Sequence, residues 1–150
     1  MDWDSIFRIG DLIVFSIANE LNILFSLLFI SRILKKAGTE RKIGWIILFS
    51  GIPLVVLQIL NLLKYRDWWV CVLLLPMIIF LVLDFVWDYM LNLEFRKSKL
   101  AVVYIIFFYS GQIGIIGYAF STGKIYGFIT LITYFISLFV GLYSYRKTGY

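Results

Sequence analysis

The sequence contains no histidine. Its absence removes the commonest general base, the commonest metal ligand, and every Ser–His or Cys–His nucleophile pair. Cysteine occurs once, at Cys71, so no disulfide can form within the chain. Charge is scarce: 15% of the residues are Asp, Glu, Lys or Arg, against about a quarter in a soluble domain. Proline, the strongest helix breaker, occurs twice, at Pro53 and Pro76. The start, Met1-Asp2-Trp3-Asp4, is acidic where a secretory signal carries positive charge. No small-residue cleavage site follows, so the first apolar run is expected to remain as a span.

What fills the sequence instead is apolar: 62% of its 150 residues are hydrophobic and 19% aromatic. A soluble core of this size could not hide that excess, because a domain of 150 residues still exposes much of its surface. Lipid is therefore the expected solvent. Backbone groups cannot stay unpaired in hydrocarbon, which leaves helices or a closed barrel. The apolar runs are about 20 residues long and do not alternate, which suits helices. The expected fold is all-α: a single polytopic bundle of five transmembrane helices, with spans near 12–34, 43–63, 68–91, 100–120 and 126–145. Pro53 and Pro76 are expected to kink the second and third.

The net charge is +5. In a soluble protein that would raise the question of nucleic acid. Here the basic residues lie between apolar runs, so they read as topology signals and no nucleic-acid partner is expected. Arg32, Lys35, Lys36, Arg41, Lys42, Arg96, Lys97, Lys99, Arg146 and Lys147 fall on one side; Arg8, Lys64, Arg66 and Lys124 fall on the other. The positive-inside rule puts the richer side in the cytoplasm, hence N-terminus outside and C-terminus inside. Asp2, Asp4, Asp11 and Asp67 fall on the poorer side. The basic side also favours anionic lipid headgroups.

Function must sit where polarity enters the spans. A charge at the bilayer centre costs at least about 2.5–3.5 kcal/mol, so intramembrane ionisable groups are candidate sites. Glu20 lies in the first span between Asn19 and Asn22, with Gln58 and Asn61 at a similar depth in the second. Together they form a candidate polar cluster in the outer half, either a ligand or proton site or a neutral tie between helices. Asp84 and Asp88 are four apart and share a face of the third span. They are candidates for a cation site or a phosphate-linked metal site, or for structural pairing, with Arg32 at the right depth for Asp88 and Lys35, Arg96 and Lys97 able to snorkel in. Tyr104, Tyr109, Tyr118 and Tyr134 fall inside spans and should find partners. With Asp84, Asp88 and Trp87 these four tyrosines could line an aromatic pocket, or simply pack. Gln112 sits within Gly111-Gln112-Ile113-Gly114-Ile115-Ile116-Gly117, a strip for close helix packing. No cofactor is expected.

The Asp84-x-x-x-Asp88 spacing resembles that of membrane prenyltransferases. The resemblance implies Mg²⁺ on the paired carboxylates and phosphate on Arg96, Lys97 and Lys99. The second Asp-rich motif of that family is missing. In size, aromatic content and span number the chain also resembles the translocator-type tryptophan-rich sensory proteins, but their Trp-Pro-rich first loop is replaced here by Lys35 to Lys42. Three functions remain open. One is a binding or transport bundle for a small molecule, lipid or ion. The second is an accessory subunit that packs against a protein partner, or a homo-oligomer, with the glycine strip as the docking face. The third is a Mg-dependent enzyme acting on a lipid or polyprenyl phosphate.

Overall fold

The chain folds as five long apolar helices, and no strand occurs among the described residues. A computed structural model describes residues 3–64, 66–93 and 98–149, and the side chain of Asp4 is also outside the description. Asp2, Arg96, Lys97 and Tyr150 therefore lie outside the described residues. Helix α1 is Trp3–Ile33, α2 Ala37–Leu63, α3 Trp68–Asp84, α4 Leu100–Thr122 and α5 Lys124–Thr148. Helix α3 continues without a break into a π-helical segment, Phe85–Met90.

Four of the five helices are longer than the apolar runs that announce them; α3 with its π-helical extension ends at Met90, one residue short of its run. Helix α1 begins nine residues before the expected Leu12 and extends for ~46 Å at the usual rise. Polar residues such as Arg8 and Asp11 do not break a helix; they only take it out of hydrocarbon. For the same reason α2 starts at Ala37 and includes Glu40, Arg41 and Lys42. The gap expected between the fourth and fifth spans, 121–125, shrinks to Gly123 alone, between α4 and α5. Pro53 lies inside α2 and Pro76 inside α3, and both helices continue past them.

Helices α1 and α4 are central. Helix α1 packs against α2, α4 and α5, and α4 against α1, α3 and α5. The core between them holds Val14, Leu21, Leu74, Met77, Phe80 and Ile115, all essentially sealed. Phe25, Phe80, Phe108 and Tyr104 form a ring cluster with centroids 5.0–5.9 Å apart, in edge or tilted contacts that rings prefer. Outside, the bundle is as apolar as inside: Phe49, Ile113 and Phe139 are each more than 60% exposed. Soluble monomers rarely expose continuous apolar faces of that kind. All five helices are long and apolar enough to cross a membrane, which fits an integral membrane protein.

The glycine strip of α4 is used within the chain. A methyl at Gly111 would meet the Met77 backbone at 2.8 Å, and one at Gly114 would meet the Leu73 carbonyl oxygen. The strip thus lets α4 lie directly on α3. This corrects its expected use as a docking face for a partner: the surface is already occupied.

Candidate functional site

The densest polar cluster lies at the end of the bundle where α1 begins and α4 ends. The Arg66 guanidinium, from the α2–α3 connection, grips Asp11 of α1 in a two-pronged pair, Nη1 to Oδ1 at 2.6 Å and Nη2 to Oδ2 at 2.9 Å. The Tyr118 hydroxyl of α4 donates to Asp11 Oδ1 at 2.8 Å and accepts from Arg66 Nη1 at 2.8 Å. Arg66 Nη1 also lies 3.5 Å from Asn61 Oδ1 of α2. The guanidinium sits 5.3 Å from the Phe7 ring centroid and 5.4 Å from that of Tyr118. Burial disfavours the Arg66 charge, but the hydrogen bond to Asp11, the Asp11 carboxylate charge and the hydrogen bond to the Tyr118 hydroxyl outweigh it. Its pKa rises above the ordinary guanidinium value, so the charge persists at any physiological pH. Beside the cluster, Phe7, Arg8, Asp11, Leu12, Thr122 and Tyr126 line a half-open cleft of about 400 Å³.

From this cluster inward, buried amides occur without partners. Gln58 Nε2 donates to the Cys71 carbonyl at 3.1 Å, but its Oε1 has no partner. Asn61 Nδ2, Asn22 Oδ1 and both amide atoms of Gln112 are likewise buried and unanswered. At 1.5 Å per residue, Gln58 is ~4 Å inside Asn61, Gln112 is ~9 Å inside Tyr118, and Asn22 is ~16 Å inside Asp11. Deeper still, ~21 Å inside Tyr118 along α4, the Tyr104 hydroxyl donates to Asp84 Oδ1 at 2.6 Å. Asp84 is 8% exposed.

The expected outer cluster of Glu20, Asn19, Gln58 and Asn61 is not assembled. An apolar helix does not announce which face turns inward, and these residues turn three ways. Asn19 and Asn22 clasp α5. Asn19 Nδ2 donates to Thr130 Oγ1 at 3.3 Å, Thr133 Oγ1 donates to Asn19 Oδ1 at 2.8 Å, and Asn22 Nδ2 donates to Thr133 Oγ1 at 3.0 Å. Gln58 reaches α3, and Asn61 joins Arg66. Glu20 is exposed on the outside of the bundle, with Ser50 Oγ of α2 at 2.9 Å.

At the other end, Arg32 is not the partner of Asp88. It pairs with Glu40 at 2.6 Å, across the short α1–α2 connection. That pairing is local, eight residues apart, and a local partner is reached more easily than one on α3. Asp84 and Tyr104 do come together, and Asp88 lies half-buried in the π segment. A π turn is rare and frequent at functional sites. No sequence signal pointed to it. Among the described residues, no three or more Cys, Asp or Glu gather as metal ligands.

The Asp11–Arg66–Tyr118 cluster was missed because its members read separately, as topology charges and a lone buried phenol. Their shared depth at the end of three spans was the available signal. No family model, curated protein or solved structure matches the chain, so the geometry stands alone.

Proposed function

We propose that the chain is a multi-pass membrane protein, N-terminus outside and C-terminus cytoplasmic, that binds or passes a small solute, a proton or small cation foremost. The observation that supports this is the set of buried amide atoms without partners, on Gln58, Asn61, Asn22 and Gln112, at depths between those of the Asp11–Arg66–Tyr118 cluster and the Asp84–Tyr104 pair. Each such atom costs ~1–3 kcal/mol. Leucine at these positions would avoid that cost, and water or a polar guest would repay it. The outer cleft is the way in, and Asp84 supplies the acidic acceptor. Glu20, on the outer surface, is off this path.

The test is flux into vesicles holding a trapped pH dye, under an imposed potassium diffusion potential. Wild-type protein should admit protons faster than protein-free vesicles, and Asp84→Asn should abolish the excess. Gln112→Leu should also lose flux while gaining stability, by up to ~1–3 kcal/mol for each of the two unpaired polar atoms removed. Equal rates with and without protein would remove the proton and leave a bound solute to be sought. Flux unaltered by both substitutions would remove this path.

Orientation has its own check. On a Cys71→Ala background, Lys64→Cys should react with an impermeant maleimide on intact cells. Lys36→Cys and Lys147→Cys should react only after permeabilisation. The reverse pattern overturns the assigned sidedness.

A further inference from the structure

Glu20 sits halfway along α1 in an exposed stripe with Ile13, Ser16, Ile23 and Leu27. Within one turn of it on α1, and within one turn of Ser50 on α2, the sequence has no other ionisable residue. In a bilayer Glu20 lies ~12 Å inside the end of the span at Leu12, within hydrocarbon, where an unpaired carboxylate is costly. The local hydrogen count bears on its state. Ser50 Oγ is 2.9 Å from Glu20 Oε1 and 3.0 Å from the Ile46 carbonyl oxygen. A serine hydroxyl has one hydrogen, and a carbonyl oxygen only accepts. With Glu20 ionised, two acceptors compete for that single hydrogen, and one contact is left without any. With a proton on Glu20 both contacts are satisfied: Glu20 O–H donates to Ser50 Oγ, and Ser50 O–H donates to the Ile46 carbonyl. A second copy of the chain could bring only another Glu20 to this stripe at the same depth, not a cation.

We propose that Glu20 is a lipid-facing carboxylic acid that holds its proton in the hydrogen-bonded chain Glu20–Ser50–Ile46, and is therefore a site of modification by apolar carbodiimides. The chemistry balances without a further reagent. The carboxyl proton passes to one carbodiimide nitrogen, and the carboxylate oxygen adds to the central carbon. Acyl migration to nitrogen then leaves an N-acylurea that keeps every atom of both reactants. This site is separate from the buried amides and does not depend on solute passage.

The experiment uses the full chain in dioleoylphosphatidylcholine vesicles at neutral pH, treated with dicyclohexylcarbodiimide and mapped by peptide mass. Glu20 should carry the adduct ahead of the exposed loop carboxylate Asp67, and a water-soluble carbodiimide should reverse that order. Glu20→Gln, a neutral isostere that can still bond Ser50, should lose the adduct. It should also remove a protonated-carboxyl C=O band from the infrared spectrum. A Glu20 that escapes the apolar reagent, because a partner helix covers it or because it is ionised, overturns the proposal. So does an infrared spectrum in which Glu20→Gln removes only a carboxylate band.

Discussion

Gly114→Ala should destabilise the bundle by about 3 kcal/mol, the upper part of the usual range for overpacking. The added methyl would land on the Leu73 carbonyl oxygen, and a backbone atom within α3 cannot swing aside. The two helices would have to separate, and the contact they make is the most extensive in the bundle. Gly117→Ala is the internal comparison. There the methyl meets the tip of the Leu73 side chain at 3.2 Å, which can rotate away, so the loss should stay below about 1 kcal/mol. Unfolding in mixed micelles, followed by tryptophan fluorescence, would measure both. Equal losses at the two positions would mean that α3 and α4 are not held at backbone contact.

Arg66→Ala should cost about 3 kcal/mol, the lower end of the range for breaking a buried ion pair. The lower end applies because the two side chains keep 17% and 14% of their exposure. Asp11 would be left with Tyr118 and no cation. Asp11→Ala should cost a similar amount by stranding Arg66. The double variant should cost little more than either single one, because the second substitution removes a charge already unpaired. A double-mutant cycle in the same micelles reads this coupling directly. Additive losses would show that the geometry of the pair contributes nothing beyond its separate parts.

Much of this architecture was legible beforehand. Hydropathy alone counts five helices, because each apolar run must hide its backbone bonds along its own length. It misjudges where helices start: Trp3 to Asp11 is helical but not apolar, and a hydropathy window sees only the second property. Asp84 and Tyr104 were both picked out as candidates, since an acid and a phenol in lipid each need a partner. What was not legible was direction. The spans are apolar nearly all round, so Glu20, Asn19 and Gln58 carried no mark of which way they turn. Asp11, Arg66 and Tyr118 are 55 and 107 residues apart along the chain, and only the fold brings them together. The π segment is a matter of backbone register, which residue type does not encode.

The clasp between α1 and α5 has a consequence for how the protein is made. Asn19 emerges from the ribosome 111 residues before Thr130. At synthesis rates of about 5–20 residues per second, the delay is on the order of 5 to 20 s. Throughout it, the first helix waits in the translocation machinery or the lipid beside it with two amides that α5 has not yet arrived to meet. A truncated product ending before Thr130 would carry that defect permanently, and a membrane protease that recognises exposed polarity would have a ready mark by which to tell unfinished chains from complete ones.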